Sequence, residues 1–502
     1  MRPDAFNLGD IVAKGGDFDA EAIIDLGGEA KPRIYSRRQL DELSNAAARG
    51  FVTRGLTRGD RIAILSANRI EFVASVLGGL RAGLVAVPIN FRVPDSVVAH
   101  ILRDSNAKLA ICDRQRETAI PRGMERTVFD MDGPNGFSLL LDFGAFEPVR
   151  PRPAEPALFL YTSGSSGQPK GVVLSHQAHL WVLRARPRRP GSQRVLMAAP
   201  LYHMNGLMTS FGSVSQTNSV LVLLPFFTAP TFIEAIEQYR CSVLNTIPSM
   251  IAMMLQETER VRRLDTSEVE LVRLGSAPVT QALIDQTRAV FPKADVVNVY
   301  GATETGGVVF GPHPGGLPRP SLSVGYPHPD VEIRLAGADS LDIGVLQIRC
   351  PALMNGYYNR PDATRQAMTS DGYFITGDLF RKDQNGFFYF IGRSDDMFVC
   401  GGENIFPGEI ESVLERHPEI HQAAVVPVRD AIKGTKPVAF VVCKTNATLT
   451  EDAVREYSRS HLALFQHPRR VWFLPQLPVA GTNKIDRQSL TALASELSKA
   501  TA

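Results

Sequence analysis

The sequence predicts an α/β protein in two unequal parts. Residues 1–392 form a large N-terminal domain of mainly parallel sheets covered by helices, and residues 393–502 form a small α+β domain. Three observations predict this. Short apolar runs alternate with helical patterns as far as Tyr300, glycine and proline gather at 131–156 and 311–329, and the texture changes after Gly392. Strands separated by helices of roughly 10–15 residues pair mainly in parallel, because each crossover returns the chain to the same end of the sheet.

Taken in order, Arg61–Leu65 (RIAIL) reads as a strand, and Ile70, Phe72, Val73, Val76, Leu77 and Leu80 then fall at helical spacing. Further strands are expected at 84–89, 108–112, 194–197, 219–224, 242–246 and 296–300. The run SVLVLLPFF at 219–227 is too short to span a bilayer and contains Pro225, so it reads as a buried strand. The two Gly/Pro-rich stretches read as connections between subdomains. The cluster Arg184, Arg186, Arg188 and Arg189, set among Pro187 and Pro190, reads as an exposed loop. Beyond Gly392 come a short strand at 397–400 and a helix opened by Pro407 with Ile410, Val413 and Leu414 on one face. Strands at 423–428 and 438–443, a helix near 450–462 and a polar tail complete the small domain.

Composition narrows the function. The 502 residues exceed one ordinary core. Lys and Arg number 54 against 52 acids, a balance unlike the basic surface of a nucleic-acid binder. Five scattered cysteines with no CxxC pair fit reduced thiols, and the N-terminus MRPDAFNLGD lacks an apolar signal core, so a cytoplasmic enzyme is expected. Only 11 of the 54 basic residues are lysine, which makes each well-placed lysine informative.

The sharpest segment is 160–174, LYTSGSSGQPKGVVL. Residues 162–171 hold four hydroxyls, three glycines and one lysine. Glycines turn backbone N–H groups toward an anion, and hydroxyls with Lys170 add donors and charge, so a triphosphate is the natural guest. It is not a Walker A loop, because Pro169 precedes the lysine and VVL continues as a strand.

This loop, YTSGSSGQPKGV, resembles that of the adenylate-forming (AMP-binding) enzymes: acyl- and aryl-CoA synthetases, luciferases and amino-acid adenylation domains. Ser165 and Ser166 stand where the family commonly has threonines. The resemblance continues across essentially the whole chain and implies ATP, Mg²⁺ and coenzyme A as cofactors. It implies that Thr162, Ser163, Gly164, Ser165, Ser166, Gly167 and Lys170 grip the phosphates that leave as pyrophosphate. PLYHMNG at 200–206 is similar to the family's PxxH segment, placing His203 beside the reacting carboxyl. Gly275, Ser276 and Ala277, then Asn298, Tyr300 and Gly301 in NVYGATET, resemble the adenine elements. Thr303 and Glu304 resemble the groups near the α-phosphate and Mg²⁺, with Glu304 the metal ligand; a hard cation that bridges phosphates calls for oxygen donors.

TGD at 376–378 resembles the motif whose aspartate, Asp378, takes the ribose hydroxyls. Arg393 resembles a second nucleotide contact, and Asp395 the hinge. Gly401 and Gly402 resemble the loop lining the pantetheine tunnel. PVAGTNK at 478–484 resembles the terminal lysine motif, with Lys484 in register although Ala480 and Asn483 depart from it. Two further departures, Gln466 and Lys436, lie near the expected CoA entrance, where Arg469 and Arg470 are candidates to hold CoA phosphates.

The resemblance implies a two-step ligase. A carboxylate and ATP give acyl-AMP and pyrophosphate, with Lys484 offsetting charge at the α-phosphate, and CoA then takes the acyl group. Lys484 and the Gly401–Gly402 loop cannot share the site, so the small domain is expected to rotate between steps. The pocket set His203, Met204, Asn205, Asn245, Gly275, Val299, Gly306 and Gly307 contains no arginine. It favours a neutral aromatic or medium-chain acid over a diacid, with the paired glycines at 306–307 leaving room. Alternatives are an adenylating enzyme with a luciferase-like or carrier-loading second step, and a silent nucleotide-binding homologue. Expected partners are small molecules, in a monomer or homodimer without nucleic acid or membrane span.

Overall fold

The computed structural model describes residues 6–27, 31–163, 168–186, 189–337, 342–400, 403–430, 434–444, 447–479 and 485–500. Two seven-stranded sheets form the bulk of the chain. The first runs, in spatial order, Asp295–Val299, Leu271–Gly275, Val243–Thr246, Gln193–Met197, Ser219–Leu223, Glu21–Asp25 and Arg33–Ser36, parallel except for the last pair. The second runs Gly356–Tyr357, Pro169–Ser175, Pro156–Ser163, Val85–Pro88, Arg61–Leu65, Ala107–Cys112 and Arg126–Val128, antiparallel only in its first two pairings.

The expected strands up to Tyr300 all form. Their near-continuous apolar runs reflect burial of both faces, as the crossover helices of a parallel sheet require. The helices Arg37–Thr53, Ile70–Arg81, His176–Ala185 and Met204–Val214 contribute to one core shared with both sheets, including Phe51, Phe72, Leu180 and Phe211. Ser36 opens the first of these helices with a reciprocal cap, accepting from Gln39 N while the Gln39 side chain accepts from Ser36 N. The outer face of the first sheet packs against Ala229–Gln238, Pro248–Gln256 and Gln281–Val290 through Phe232, Ile251 and Ile284. The run at 219–227 is the buried strand expected of it, covering Ser219–Leu223.

A third sheet, Glu332–Ala336, Ile343–Arg349, Phe374–Lys382 and Phe388–Arg393, is antiparallel throughout. Its alternating exposure gave no strand signal comparable to the buried parallel runs. After it, strands Phe398–Cys400, Glu403–Ile405, Ile420–Asp430, Gly434–Cys443 and Val471–Phe473 build a five-stranded sheet. That sheet is packed on one face by Ile410, Leu414 and Val454 and on the other by Leu477, Leu490 and Ala494. The expected polar tail is instead the helix Arg487–Ala500, which uses Leu490 and Ala494 to close the second face. All five cysteines are free thiols. Among the described residues no helix is long and apolar enough to cross a membrane.

Candidate active site

The described residues among those expected of the site lie mainly at strand ends of the first sheet, on the hairpin of the second and on the last two strands of the third. Thr162 and Lys170 are cross-strand partners in the hairpin Pro156–Ser163/Pro169–Ser175, so the expected phosphate-binding residues lie in sequence between two paired strands. Gly164, Ser165, Ser166 and Gly167 lie outside the described residues, and for Ser163 only the backbone is described. Lys170 places its ammonium 5.4 Å from the Tyr357 ring centroid. The Tyr357 hydroxyl in turn donates to Glu304 Oε1 at 2.8 Å. A chain of contacts thereby joins the only lysine of the loop to the expected metal carboxylate.

Glu304 and Thr303 sit in the single turn Thr303–Thr305. Burial dominates the Glu304 environment and raises its pKa, with the Tyr357 bond opposing and the Asp378 charge adding to the rise. Such a carboxylate gains from a nearby cation. Tyr300 ends the adjoining segment, and its hydroxyl donates to Asp378 Oδ2. Burial first, and Asp378 second, push the Tyr300 hydroxyl well above its usual range. Asp378 and Arg393 face each other across the third sheet, and Arg393 Nη1 donates to Asp378 Oδ1 at 2.9 Å. The same guanidinium reaches the exposed Asp395 at 2.9 Å. Against a burial penalty, these acids raise the Arg393 pKa.

Asn298 spends its amide nitrogen on Leu322 O at 2.8 Å, leaving its carbonyl oxygen as the group directed elsewhere. Gly275 ends its strand against Val299, and a Cβ there would meet Val299 Cγ2 at 2.5 Å. Ser276 follows with φ +66°, and Ala277 is partly buried. Gly301 approaches Gly307 so closely that a Cβ would lie 2.6 Å from Gly307 Cα. The room expected at these glycines is absent at Gly306, where a Cβ would meet Val182 Cγ2 at 2.7 Å, but not at Gly307, where the nearest atom, Met204 Cγ, stands 3.6 Å away; both adopt positive φ, +69° and +79°, in a turn.

On the acid side, His203 caps the helix Met204–Val214 and rests edge-on against Tyr202, with ring centroids 4.6 Å apart. Met204 is buried near Gly307. Asn205 accepts from Asn245 Nδ2 at 3.0 Å and donates to Ser276 Oγ at 3.4 Å. The helix start is thus tied to the strand ends.

Two arginines that the sequence reading left out stand on this same wall. Arg273 pairs in register with Asn245, and Arg186 donates to Met208 O at 2.7 Å on the helix. The exposed loop expected around Arg186 is therefore corrected, since its guanidinium folds inward against Gly212. Arg273 interrupts the apolar strand LVRLG, and that lone charge was the available signal.

Gly401, Gly402 and Lys484 lie outside the described residues. The flanks of 480–484 are joined by a bridge between Val479 and Ile485 and by Asp486 N donating to Pro478 O at 2.9 Å. Arg487 anchors this region to Glu411 at 2.6 Å and to Asp396 at 3.3 Å. Lys436 pairs with Asp430 at 3.5 Å, and Gln466 donates to Glu409 at 3.1 Å. Arg470 is engaged by Glu451 at 3.0 Å, and Arg469 donates to Leu464 O at 3.1 Å. A groove of about 580 Å³ between Tyr326, Arg334 and Lys382 lies apart from all these groups. Among the described residues no cluster of three or more metal-ligating side chains occurs.

The chain matches the AMP-binding enzyme family over residues 12–358 and the AMP-binding enzyme C-terminal domain over residues 409–484. It is 31% identical to the sulfoacetate–CoA ligase of Cupriavidus necator over 88% of its own length and 89% of that protein. It is 32% identical to the long-chain-fatty-acid–CoA ligase FadD13 of Mycobacterium tuberculosis, over 89% of this chain and 90% of that one. Among solved structures, ATP-bound MatB from Rhodopseudomonas palustris superimposes with a TM-score of 0.88 at 27% identity, covering 98% of this chain and 99% of that chain. Matched in both parts, and at 31–32% identity over 88–89% of its length, the chain belongs to the AMP-binding enzymes, the adenylate-forming family.

Proposed function

We propose that the chain is an AMP-forming carboxylic acid:CoA ligase that activates its acid with ATP and passes the acyl group to coenzyme A. One observation carries the reading: two bonded groups, Lys170–Tyr357–Glu304 and Tyr300–Asp378–Arg393, drawn from five separated segments, lie close enough for the Asp378 charge to act on Glu304. Relatives named as CoA ligases for sulfoacetate, long-chain fatty acids and indoleacetate support the reaction and differ in the acid.

In this proposal Asp378 accepts from the ribose hydroxyls, displacing part of its present bonding to Tyr300 and Arg393. Tyr300 offers a ring face to adenine, Asn298 accepts through its carbonyl oxygen, and Gly275, Ser276, Ala277 and Gly301 supply close backbone. Residues 163–167, with Thr162 and Lys170, hold the β- and γ-phosphates. One carboxylate, Glu304, with Thr303 beside it, fits Mg²⁺, which takes few protein ligands when it also bridges phosphates. That cation, when bound, lowers the charge facing an incoming carboxylate.

His203 and Asn205 orient the acid beside the α-phosphate, with Met204, Asn245, Val299 and Gly307 around it. The carboxylate oxygen forms a bond to the α-phosphorus as pyrophosphate leaves, and Lys484 offsets the charge that builds. The CoA thiol then attacks the acyl carbon and AMP departs. Residues 393–502 act as a mobile unit hinged at Asp395, presenting Lys484 in the first step and Gly401–Gly402 in the second. Lys436 and Arg470 are paired with acids within the small part, whereas the described bonds of Arg469 go to Leu464 O and His467, which leaves Arg469 as the candidate contact to CoA phosphate there.

The test is pyrophosphate release over a panel of carboxylic acids, with and without CoA. Release that leads to a thioester only with CoA is expected. Release without any thioester would favour a different acyl acceptor, and no release with any acid would favour a silent nucleotide binder. Lys484→Ala is expected to abolish acyl-AMP formation and largely spare thioester formation from supplied acyl-AMP; equal loss of both would refute the two-position account.

A further inference from the structure

The wall beside Asn205 and Asn245 carries two arginines with no acidic partner among the described residues. Asn245 and Arg273 are register partners on neighbouring parallel strands, so their side chains leave the same face of the sheet. Asn245 bonds Asn205, which identifies that face as the one turned toward the helix Met204–Val214. One helical turn along from Asn205, about 6 Å, stands Thr209. Arg186 lies against that turn, donating to Met208 O at 2.7 Å and Thr209 Oγ1 at 3.4 Å. Gly212, a further turn along, gives the guanidinium space, since a Cβ there would meet Arg186 Nη1 at 3.2 Å.

The rest of this stretch of the sheet face is apolar, a small cluster of Val195, Val243, Leu271 and Val297. Neither Arg186 nor Arg273 has an ion pair with any described residue, and Arg273 makes no side-chain hydrogen bond with one. Arg189 lies near enough to add to the repulsion on Arg273. It spends one nitrogen on Asp295 at 3.0 Å, and its Nη1 is buried with no partner among the described residues. Burial first, and the charge of Arg273 second, push Arg186 down to about 9. Both side chains remain partly accessible although burial dominates their electrostatics. Two facing cations in apolar surroundings are costly without an anion between them.

We propose that Arg186 and Arg273 receive a second anionic group at the far end of the substrate, so that the acid activated is a dianion, a dicarboxylate or an ω-sulfo acid, in place of a neutral one. The inference rests on the ligase reading for the pocket's role. The neutral acid expected from sequence followed from a wall that omitted these two residues. With the reacting carboxyl near His203 and the second anion near Thr209, the spacing suits a linear acid of about five to six carbons. Paired Arg–oxyanion contacts supply both the neutralising charge and the length selection.

The test measures calorimetric binding and ATP-dependent turnover of glutarate, adipate and 4-sulfobutanoate against pentanoate and hexanoate, on the full chain. The dianions are expected to bind about 10- to 100-fold more tightly than their neutral matches, the range for charge-assisted hydrogen bonds. Arg273→Met and Arg186→Gln are expected to abolish that preference, and Arg273→Lys to retain part of it. Arg273→Met removes a buried cation that lacks an acidic partner, so it is expected to melt no lower than the parent without ligand.

Equal binding of both classes, binding of neither at millimolar concentration, or a preference that survives both substitutions would overturn the proposal. Turnover of neutral acids with no dianion preference would overturn it while leaving the ligase reading intact. Dianion binding without pyrophosphate release would defeat the ligase reading and leave the anion subsite standing.

Discussion

Gly275 shows how tightly the site is drawn at the level of single residues. A methyl group there would press on Val299 Cγ2 at 2.5 Å, and Val299 is the register partner of Gly275 on the neighbouring strand. Gly275→Ala is expected to cost about 1–3 kcal/mol of stability, the usual range for overpacking, read as a lower melting temperature in a thermal scan. Asp378 behaves differently. Its partner Arg393 also bonds Asp395, so removing the Asp378 charge leaves the guanidinium with an acid. Asp378→Asn is therefore expected to keep the fold and raise the KM for ATP by about 10- to 100-fold, measured in the pyrophosphate assay. Residue identities at these positions were readable because each sits in a short motif with one chemical demand. Arg186 and Arg273 were not, because their meaning depends on which strand and helix meet, a relation that spans 87 residues of sequence separation, from 186 to 273.

At the scale of elements, the terminal helix Arg487–Ala500 gave little sequence signal, since only Leu490 and Ala494 are fully buried on it. Its first residue fixes it instead. Arg487 forms a two-pronged contact with Glu411 and a third bond to Val425 O at 3.0 Å. Arg487→Met would leave the buried Glu411 without its cation, a loss of about 3 kcal/mol, at the low end for broken buried pairs because Arg487 remains partly accessible. Chemical denaturation would show it as a lower midpoint. The third sheet was missed for a related reason. Its strands bury one face and alternate, so their apolar content is too thin to stand out from loops, whereas the doubly buried parallel strands were legible from end to end.

At the scale of the molecule, the large and small parts meet through Gln256 and His421, 3.1 Å apart, and around Glu415, which accepts from Ala423 N at 3.0 Å and lies near Thr280. Burial, chiefly, lifts the Glu415 pKa to about 8. A raised carboxyl pKa means the folded, packed arrangement binds more protons than the unfolded chain. Its contribution is complete below about 4.5, the ordinary glutamate value, and is lost as pH rises through about 8. Melting temperatures measured from pH 5 to 9 are expected to fall across that window, and Glu415→Gln to flatten the fall. A parent curve that matches the variant at every pH would sink this account.

The pairing of Asp378 with Arg393 has a consequence for how such proteins can be recombined. The change in the texture of the sequence marks residue 392 as the obvious cut for exchanging small parts between relatives. A cut there would take the arginine from one parent and the aspartate from the other. It would also split a strand pair whose register runs through both residues. A hybrid joined after Asp395 keeps the strand, the shared guanidinium and both of its acids from a single parent, so that this ion-paired corner arrives already assembled.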